Sequence, residues 1–480
     1  MNLDYTNTMS SVSGEPPTSA TRTQRPAAEI NTTAQSANIW LCLFLIYYFS
    51  LCDTVLKFLP LQLAIVLRYL PEAILYFLVF ILLTKRIRII SFPLFWPLCF
   101  CAATMTVSGL LNSSSLLAVA GDFRIYFRFA AFAYILWRTR ITSHRIEQLI
   151  DGFLGLTVVE LVVGGIELIG GSGAQTFFSP AQGWGSGEAI VWHNPIPDAG
   201  VWLNGTLGDT NRFGIFMVTS FVLALTIYFM KGSSRYLWIA FGAALGVVLS
   251  FSRHSMGAML PALVLLFIFH RKRISSVFSM RRVVPVVGCA CLLAIVGASF
   301  SSSLRDRVAS AFNREALTGD PTANIRLFMT LELTPRFLNA YPFFGQGPIL
   351  PADAVPVGET DTSLGPTLKA APNLPGWVTF YLPDVVWLLV LGLYGCAGLT
   401  AFGFLFWSIA TAARKVVRDN WNSESTIAAQ ACLVMIVLFV MSGFFSEEII
   451  ARDMIPIFWT VAGMILSLAK DPLPALAGPV

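Results

Sequence analysis

The sequence contains few charged residues and only four histidines. Of its 480 residues, 12% are Asp, Glu, Lys or Arg, whereas 55% are hydrophobic. A soluble globular domain carries charged side chains at about a quarter of its positions or more. Together with a mean hydropathy of +0.69, this shortage of charge excludes an ordinary soluble domain and predicts an all-α polytopic membrane protein.

The sequence also lacks the common signatures of metal and nucleotide sites. No two histidines have the spacing of a zinc protease motif, and no glycine-rich loop leads into a Lys-Ser or Lys-Thr pair. All eight cysteines fall in apolar runs, where a thiol behaves as a small hydrophobic group, and no cysteine pair has the further partners that a metal needs. We therefore expect no metal site, no ATP hydrolysis and no binding of nucleic acid.

Long apolar runs recur along the chain from Ile39 onward. Runs of about 17 to 25 residues have the length that a helix needs to cross a bilayer. Charged residues and a proline interrupt the second run, and charged residues interrupt the fourth. We predict about twelve transmembrane helices, centred near residues 48, 73, 101, 126, 158, 219, 243, 262, 291, 397, 435 and 462.

The predicted spans divide the chain into five parts. Residues 1–37 are polar and are predicted to form a disordered cytoplasmic tail. No signal peptide is predicted, because the first apolar run starts only at Ile39. The other parts are transmembrane helices 1–9 in 38–300, a periplasmic helical loop in 301–383, transmembrane helices 10–12 in 384–472 and a short cytoplasmic tail in 473–480.

The distribution of Lys and Arg predicts the orientation of these helices. Basic residues in short loops collect on the cytoplasmic side of a membrane. With the N-terminus inside, the inner loops carry most of the loop Lys and Arg, and the short outer loops carry only Arg253 and Arg452. Both termini are therefore predicted to be cytoplasmic, and the segments 170–204 and 301–383 to face outward.

Three arginines of the predicted outer loops are candidates for binding an anion. Arg253, beside His254, breaks the rule that keeps basic residues off outer loops, so either an anionic ligand or a lipid phosphate faces it. Arg326 lies on a predicted loop helix at 323–333, which ends at Pro335, and points either toward the membrane domain or toward solvent. Arg305 lies earlier in the loop, on a second predicted helix at 304–312.

Charged residues within or at the start of predicted membrane helices are further candidates. Asp122, Arg124 and Arg128 lie on one helix, with the aspartate close enough in sequence to pair with either arginine. Because charges at membrane depth pair with each other or line a cavity, an ion pair and a ligand site are both open. Asp384 opens the helix after the long loop, either as a helix cap or as a general base at a cavity mouth.

Several short motifs follow one another in a defined order. They are Gly205-Thr-Leu-Gly-Asp-Thr-Asn-Arg-Phe-Gly214, Ser250-Phe-Ser-Arg253, Asn324-Ile-Arg326, Tyr341-Pro-Phe-Phe-Gly-Gln-Gly347 and Tyr394-Gly-Cys-Ala-Gly398. In this order they resemble the superfamily of O-antigen ligases and Wzy-type polymerases, over about residues 40 to 470. The resemblance implies a GT-C-like membrane fold with a large periplasmic loop between helices 9 and 10.

The resemblance also implies an activity. Members of this family take a glycan from undecaprenyl pyrophosphate on the outer face of the bacterial inner membrane and join it to an acceptor hydroxyl, without metal or nucleotide. Arg253 and Arg326 match the family arginines that hold the pyrophosphate, and with Asp384 they form the predicted catalytic set. The expected partners are the lipid-linked oligosaccharide, a flippase and a chain-length regulator of the export system. The predicted substrate-binding residues are Arg124, Arg128, Arg305, His254 and Asn211.

One departure from the family pattern bears on the alternatives. The ligases carry a His-Asn pair at the start of the helix after the long loop, whereas this chain has Pro383-Asp384 there, and His193-Asn194 lies in a different loop. This difference favours a polymerase of repeat units, with a ligase as the alternative within the family. A polytopic transporter is the alternative from another class, although neither an internal repeat nor a pair of broken helices is visible in the sequence.

Overall fold

All the regular structure that can be described in this protein is helical. The structure is a computed structural model, and it describes residues 25–84, 89–139, 141, 143–179, 203–277, 331, 334–348, 385–419, 424–443 and 454–469. Within these residues the prediction of an all-α protein is confirmed. The α-helices are α1 Arg25–Leu56, α2 Leu61–Thr84, α3 Phe95–Leu111, α4 Leu116–Phe127, α5 Ala130–Thr139, α6 Ser143–Phe178, α7 Thr210–Lys231, α8 Ser234–Leu249, α9 Arg253–Val277, α10 Thr334–Ala340, α11 Val386–Asp419, α12 Glu424–Ser442 and α13 Ile455–Ala469.

Several of these helices have the character of membrane spans. Within the described residues, four helices are long and apolar enough to cross a membrane: Gln62–Thr84, Arg145–Phe178, Thr210–Phe229 and Val386–Arg418. Shorter apolar helices of 10–17 residues accompany them. The span within α7 is the most buried of the four and the span within α2 is the least buried, so α7 is central and α2 is peripheral. The total of twelve spans and the GT-C-like arrangement stay predictions.

The fourth predicted span differs from a single continuous helix. It is divided into α4 and α5, with Arg128 and Phe129 between them. Neither proline nor glycine lies at this point, but the break coincides with Arg128, one of the charged residues that interrupt the fourth apolar run. The second predicted span, in contrast, continues as one helix through Pro71.

Helix boundaries near the predicted tails and loops also differ from expectation. α1 begins at Arg25, inside the segment 1–37 for which disorder is predicted. α6 continues to Phe178 across a non-helical residue, Gly171. Pro335, the turn signal predicted to end the helix at 323–333, lies in the first turn of α10, where proline is well tolerated because its missing N–H has no helical partner. The predicted helix at 304–312, and all but residue 331 of the one at 323–333, lie outside the described residues.

Hydrogen bonds between helix termini define one end of the bundle. Lys57, just after α1, donates from Nζ to the carbonyl oxygen of Ser179 at 2.7 Å, beyond the last turn of α6. The amide of Leu203, which precedes α7, donates to the carbonyl oxygen of Leu249 in the last turn of α8 at 3.2 Å. We call this the Asn211 end, after a residue in the first turn of α7; it is the predicted outer end.

Ion pairs connect helix termini at the opposite end. Lys231 at the end of α7 pairs with Glu147 near the start of α6. Arg235 at the start of α8 pairs with Asp151 of α6, with Nη2 and Oδ2 3.0 Å apart. We call this the Arg235 end. Its basic residues belong to a predicted inner loop, and its position on the cytoplasmic side stays a prediction.

Candidate functional site

The structure describes only part of the predicted site. The side chains of Arg124, Arg128, Asn211 and His254 are described. Arg253 is placed as the first residue of α9. The other predicted site residues, Arg305, Arg326 and Asp384, lie outside the described residues.

Both predicted membrane arginines bind one carboxylate of the second helix. Arg124 donates from Nε and Nη2 to Glu72 Oε2, at 3.0 and 2.7 Å. Arg128 donates from Nη1 to Glu72 Oε1 at 3.4 Å. We call these three residues the arginine–glutamate cluster. Glu72 lies near the middle of α2, so the cluster lies at membrane depth if α2 crosses the bilayer.

The three members of this cluster differ in exposure. The side chain of Glu72 is 5% exposed and that of Arg128 is 11% exposed, whereas that of Arg124 is 39% exposed. The Arg124 guanidinium also lies over the ring of Tyr69, 5.1 Å from its centre. Two guanidinium groups and one carboxylate leave the cluster with an excess of one positive charge. Arg124 therefore presents a cationic group that an anion can reach.

The predicted pairing of Asp122 with an arginine is corrected by the structure. The hydroxyl of Tyr394 donates to the Asp122 carboxylate at 2.5 Å, and the arginines bind Glu72 instead. The physical reason is helical geometry, because residues two apart do not face each other whereas residues four apart do. Arg124 and Arg128 therefore share one side of the chain, and Asp122 is directed elsewhere. The sequence signal for Glu72 was its charge within an apolar run, which does not identify its partner.

Tyr394 lies at a break in α11. The helix departs from helical geometry at Gly395, whose φ is 64° and ψ is −161°. Backbone groups near such a break lose helical partners and must find others when they are buried. Here they bond to a segment that follows α10, residues 341–347, which we call the clasp segment. The bonds are Gln346 N to Gly392 O (2.9 Å), Gly347 N to Leu393 O (2.9 Å), Cys396 N to Pro342 O (3.0 Å) and Ala397 N to Phe343 O (2.9 Å).

Helix α3 holds the same junction from another side. Ser108 Oγ donates to the carbonyl oxygen of Leu393 at 2.8 Å. Asn112 donates from Nδ2 to the carbonyl oxygen of Gly345 at 3.0 Å. The motifs at 341–347 and 394–398, far apart in sequence, therefore form one junction that fixes the position of Tyr394 beside Asp122.

A second polar cluster occupies the Asn211 end. The Ser252 hydroxyl donates to Asn211 Oδ1 at 2.9 Å, and it lies 3.0 Å from His254 Nδ1 and 2.9 Å from Ser255 Oγ. A hydroxyl has one proton to donate, so the other two contacts are hydrogen bonds only when His254 Nδ1 or Ser255 Oγ carries the donated proton. We call these four residues the Ser252 cluster. Arg253 lies in the chain between two of its members.

Close packing of α7 against the start of α9 holds the Ser252 cluster together. A Cβ at Gly214 would lie 2.4 Å from Ser255 Oγ and 2.9 Å from Ser250 Oγ. Asp209 caps α7 by accepting from the amides of Asn211 (2.8 Å) and Arg212 (3.1 Å). The structure thus brings the predicted residues Asn211 and His254 together, through a serine that the sequence motif contained without marking it as a site residue.

Two glutamates that the sequence did not single out bind the turn before α7. Glu160 and Glu167 of α6 are both fully buried, and their carboxylates accept hydrogen bonds from backbone amides of residues 204–206. The sequence signal that could have identified these two glutamates is a charged residue within a long apolar run. The convergence of both residues on one turn depends on tertiary contact.

Two cavities between the described helices have no charged residue in their walls. One lies between α4, α11 and α13, and its wall is aromatic and aliphatic. Within the described ranges, no three His, Cys, Asp or Glu side chains come together as a metal site would require. A comparison of the chain with models of known protein families gives no match, and a comparison with curated proteins gives none either.

Proposed function

We propose that this protein is a metal-independent membrane glycosyltransferase that polymerises undecaprenyl-pyrophosphate-linked oligosaccharide repeat units on the outer face of the bacterial inner membrane. The order of the motifs supports the class of enzyme. The observation that carries the proposal is the arginine–glutamate cluster, in which a 39% exposed arginine lies beside a buried carboxylate near the middle of an apolar helix.

A cation at this depth favours an anionic ligand that resides in the membrane. Charges within the hydrocarbon region are costly and mark ligand or ion pathways. A guanidinium binds phosphate through parallel N–H groups, more specifically than an ammonium does. Among the described residues, Arg124 uses one N–H of Nε and one of Nη2 for Glu72, so both N–H groups of Nη1 and the second of Nη2 remain for a ligand. A lipid-linked phosphate supplies the matching charge.

The proposed chemistry divides between the two predicted groups of residues. The anomeric carbon of the donor sugar breaks its bond to the pyrophosphate oxygen and forms a bond to the acceptor hydroxyl oxygen. Negative charge builds on the leaving pyrophosphate, and Arg253 and Arg326 stabilise it, since loss of one such donor costs about a hundredfold in rate or more. Asp384 accepts the proton of the acceptor hydroxyl.

A ligase is the alternative within the same family. It would bind the same lipid pyrophosphate and use the same arginines, but its acceptor would be a terminal core sugar in place of another repeat unit. Pro383-Asp384 at the position of the ligase His-Asn pair is the feature that favours the polymerase.

A transporter is the alternative from another class, and one structural feature favours it. α6 and α11 are both broken, at Gly171 and Gly395, with similar positive φ values of 62° and 64°. Transporters use broken helices to expose backbone groups to substrates and ions. At Gly395, however, two carbonyl and two amide groups already bond to the clasp segment, which favours a structural role for that break.

The test compares surface polysaccharide from cells in which the native gene is replaced by variants. Arg124→Ala, Arg253→Ala, Arg326→Ala and Asp384→Ala are each expected to reduce long chains by about a hundredfold or more, while single repeat units remain on the lipid carrier. The matched control is Arg235→Ala, because Arg235 pairs with Asp151 at the opposite end of the bundle; it is expected to give a wild-type ladder. All amounts are normalised to the variant protein present in membranes.

Other outcomes separate the alternatives. Intact polymer that accumulates on the lipid carrier would identify a ligase. Wild-type ladders from all four variants, with reduced uptake of a solute, would refute the glycosyltransferase proposal in favour of a transporter.

A further inference from the structure

The short turn between α8 and α9 leads directly to Arg253. Residues 250–252 connect the end of α8 to Arg253, the first residue of α9. Phe251, in the middle of this turn, has a φ of +55°, in the left-handed region that is strained for a bulky side chain. The chain therefore joins the two helices through a conformation that an aromatic residue rarely adopts.

A comparable turn in the same chain has glycine at this position. Gly232, which follows α7 and leads into α8, has a φ of +70°. Glycine is the usual residue there because it has no Cβ to clash. A strained residue such as Phe251 persists only where the surrounding structure fixes it, and such residues cluster at functional sites.

Ser250 fixes the chain before and after Phe251. Its hydroxyl donates to the carbonyl oxygen of Val247 in the last turn of α8 at 2.7 Å. The same oxygen accepts from the amide of Ser252 at 3.2 Å. The side chains of Ser250 and Ser252 are both buried, so water does not compete for these bonds.

Ser252 caps the helix that begins with Arg253. Its carbonyl oxygen accepts from the amide of Met256 at 3.0 Å, and its side-chain oxygen lies 3.4 Å from the amide of Ser255. These are the contacts of a helix N-cap. The backbone of Arg253 therefore follows a defined cap.

Ser252 also connects the start of α9 to the start of α7. Its hydroxyl donates to Asn211 Oδ1 at 2.9 Å, because an amide oxygen is an acceptor only. The two helices approach closely beside this bond, where a Cβ at Gly214 would lie 2.4 Å from Ser255 Oγ. The start of α9 thus has a fixed position relative to the first turns of α7.

We propose that Ser252 is a positioning residue for Arg253, and that Asn211 acts through Ser252 instead of binding the substrate directly. The inference rests on the proposed function, in which Arg253 stabilises the leaving pyrophosphate. A catalytic cation must lie where charge develops, and a displacement of about 1 Å can cost about a hundredfold in rate. The strained turn and the bond from Ser252 to Asn211 set the backbone position from which the Arg253 side chain extends.

The test measures turnover by the purified full-length protein, with lipid-linked repeat units extracted from cells that lack the native gene. Ser252→Ala is expected to lower kcat by about tenfold or more. The KM for these repeat units should change less than kcat, because additional charge appears on the pyrophosphate only as its bond to the sugar breaks. Asn211→Ala removes the acceptor of the same bond and should give the same result, so it makes the test if Ser252→Ala does not fold.

A double-mutant cycle shows whether Ser252 acts through Arg253. In the Arg253→Ala background, Ser252→Ala should change kcat by less than about twofold. The matched control is Ser220→Ala, on the same helix as Asn211, which removes a buried hydroxyl that accepts from Thr157 Oγ1 at 2.8 Å. This control should lower the thermal unfolding midpoint, as Ser252→Ala does, but keep the wild-type kcat.

The contrary results are distinguishable from one another. An equal fall in kcat from Ser252→Ala with and without Arg253 would overturn the inference and leave the proposed function in place, and so would a wild-type kcat in Ser252→Ala. A raised KM with an unchanged kcat in Asn211→Ala would assign Asn211 to substrate binding and overturn its positioning role. A wild-type kcat in Arg253→Ala would contradict the proposed function itself, and the inference with it.

Discussion

Replacement of Glu72 by Ala is expected to lower the free energy of unfolding by about 3–5 kcal/mol. Glu72 binds Arg124 and Arg128 at once, and its side chain is only 5% exposed. Its removal leaves two guanidinium groups without this carboxylate, one of them in the 11% exposed side chain of Arg128. Removing one partner of a buried ion pair costs far more folding free energy than replacing both partners by hydrophobic residues.

The measurement is the thermal unfolding midpoint of the purified protein in detergent. The matched control is Glu147→Ala, which breaks the ion pair with Lys231 between side chains that are 24% and 29% exposed. Pairs that water reaches contribute only about 0–1 kcal/mol, so the control should unfold near the wild-type midpoint. Equal midpoints for the two variants would show that the arginine–glutamate cluster is not buried as described.

Replacement of Gly345 by Ala is expected to disrupt the clasp segment. Gly345 has a φ of +65°, and a Cβ there would lie 2.3 Å from the backbone carbon of Leu393. The conformational strain alone costs about 1–3 kcal/mol, and the clash with a rigid backbone adds to it. We expect a lower unfolding midpoint, together with weaker protection of the Gln346 and Gly347 amides from hydrogen exchange.

The control for this variant is Gly403→Ala. Gly403 lies in α11, the helix that the clasp segment contacts. A Cβ at Gly403 would have no atom within 4 Å. Gly403→Ala should therefore stabilise the helix by about 0.5–1 kcal/mol. The two substitutions are expected to act in opposite directions. A Gly345→Ala variant as stable as Gly403→Ala would contradict the described pairing of the clasp segment with α11.

The positions of the helices were largely predictable from the sequence. Every predicted apolar run falls in a described helix, except the run near residue 291, which lies outside the described residues. An apolar run in lipid has no water to satisfy its backbone, so it must form hydrogen bonds within itself. The break between α4 and α5 falls at Arg128, one of the charged residues that interrupt the fourth run, although no proline or glycine marks it as the end of a helix.

The candidate site was predictable in its residue types but not in its pairings. Arg124 and Arg128 were identified because charges are rare in apolar runs, Asn211 because it lies in a motif, and His254 because it adjoins Arg253. Glu72 lies 52 residues from Arg124, and Ser252 lies 41 residues from Asn211. No local pattern identifies a contact between helices at such a separation. The roles of Arg253, Arg326 and Asp384 stay predictions.

The helical and membrane-spanning character of this protein follows from local sequence alone, because hydrophobic length and backbone hydrogen bonding are local properties of each run. The sequence also marked the glycine motifs at 205–214 and 341–347. Contacts between distant helices were needed to show that Glu72 binds both arginines, that Tyr394 bonds to Asp122, and that the clasp segment bonds to the break at Gly395. Buried charges and interrupted helices take whichever partner the packing brings within reach, and packing is a property of the whole chain.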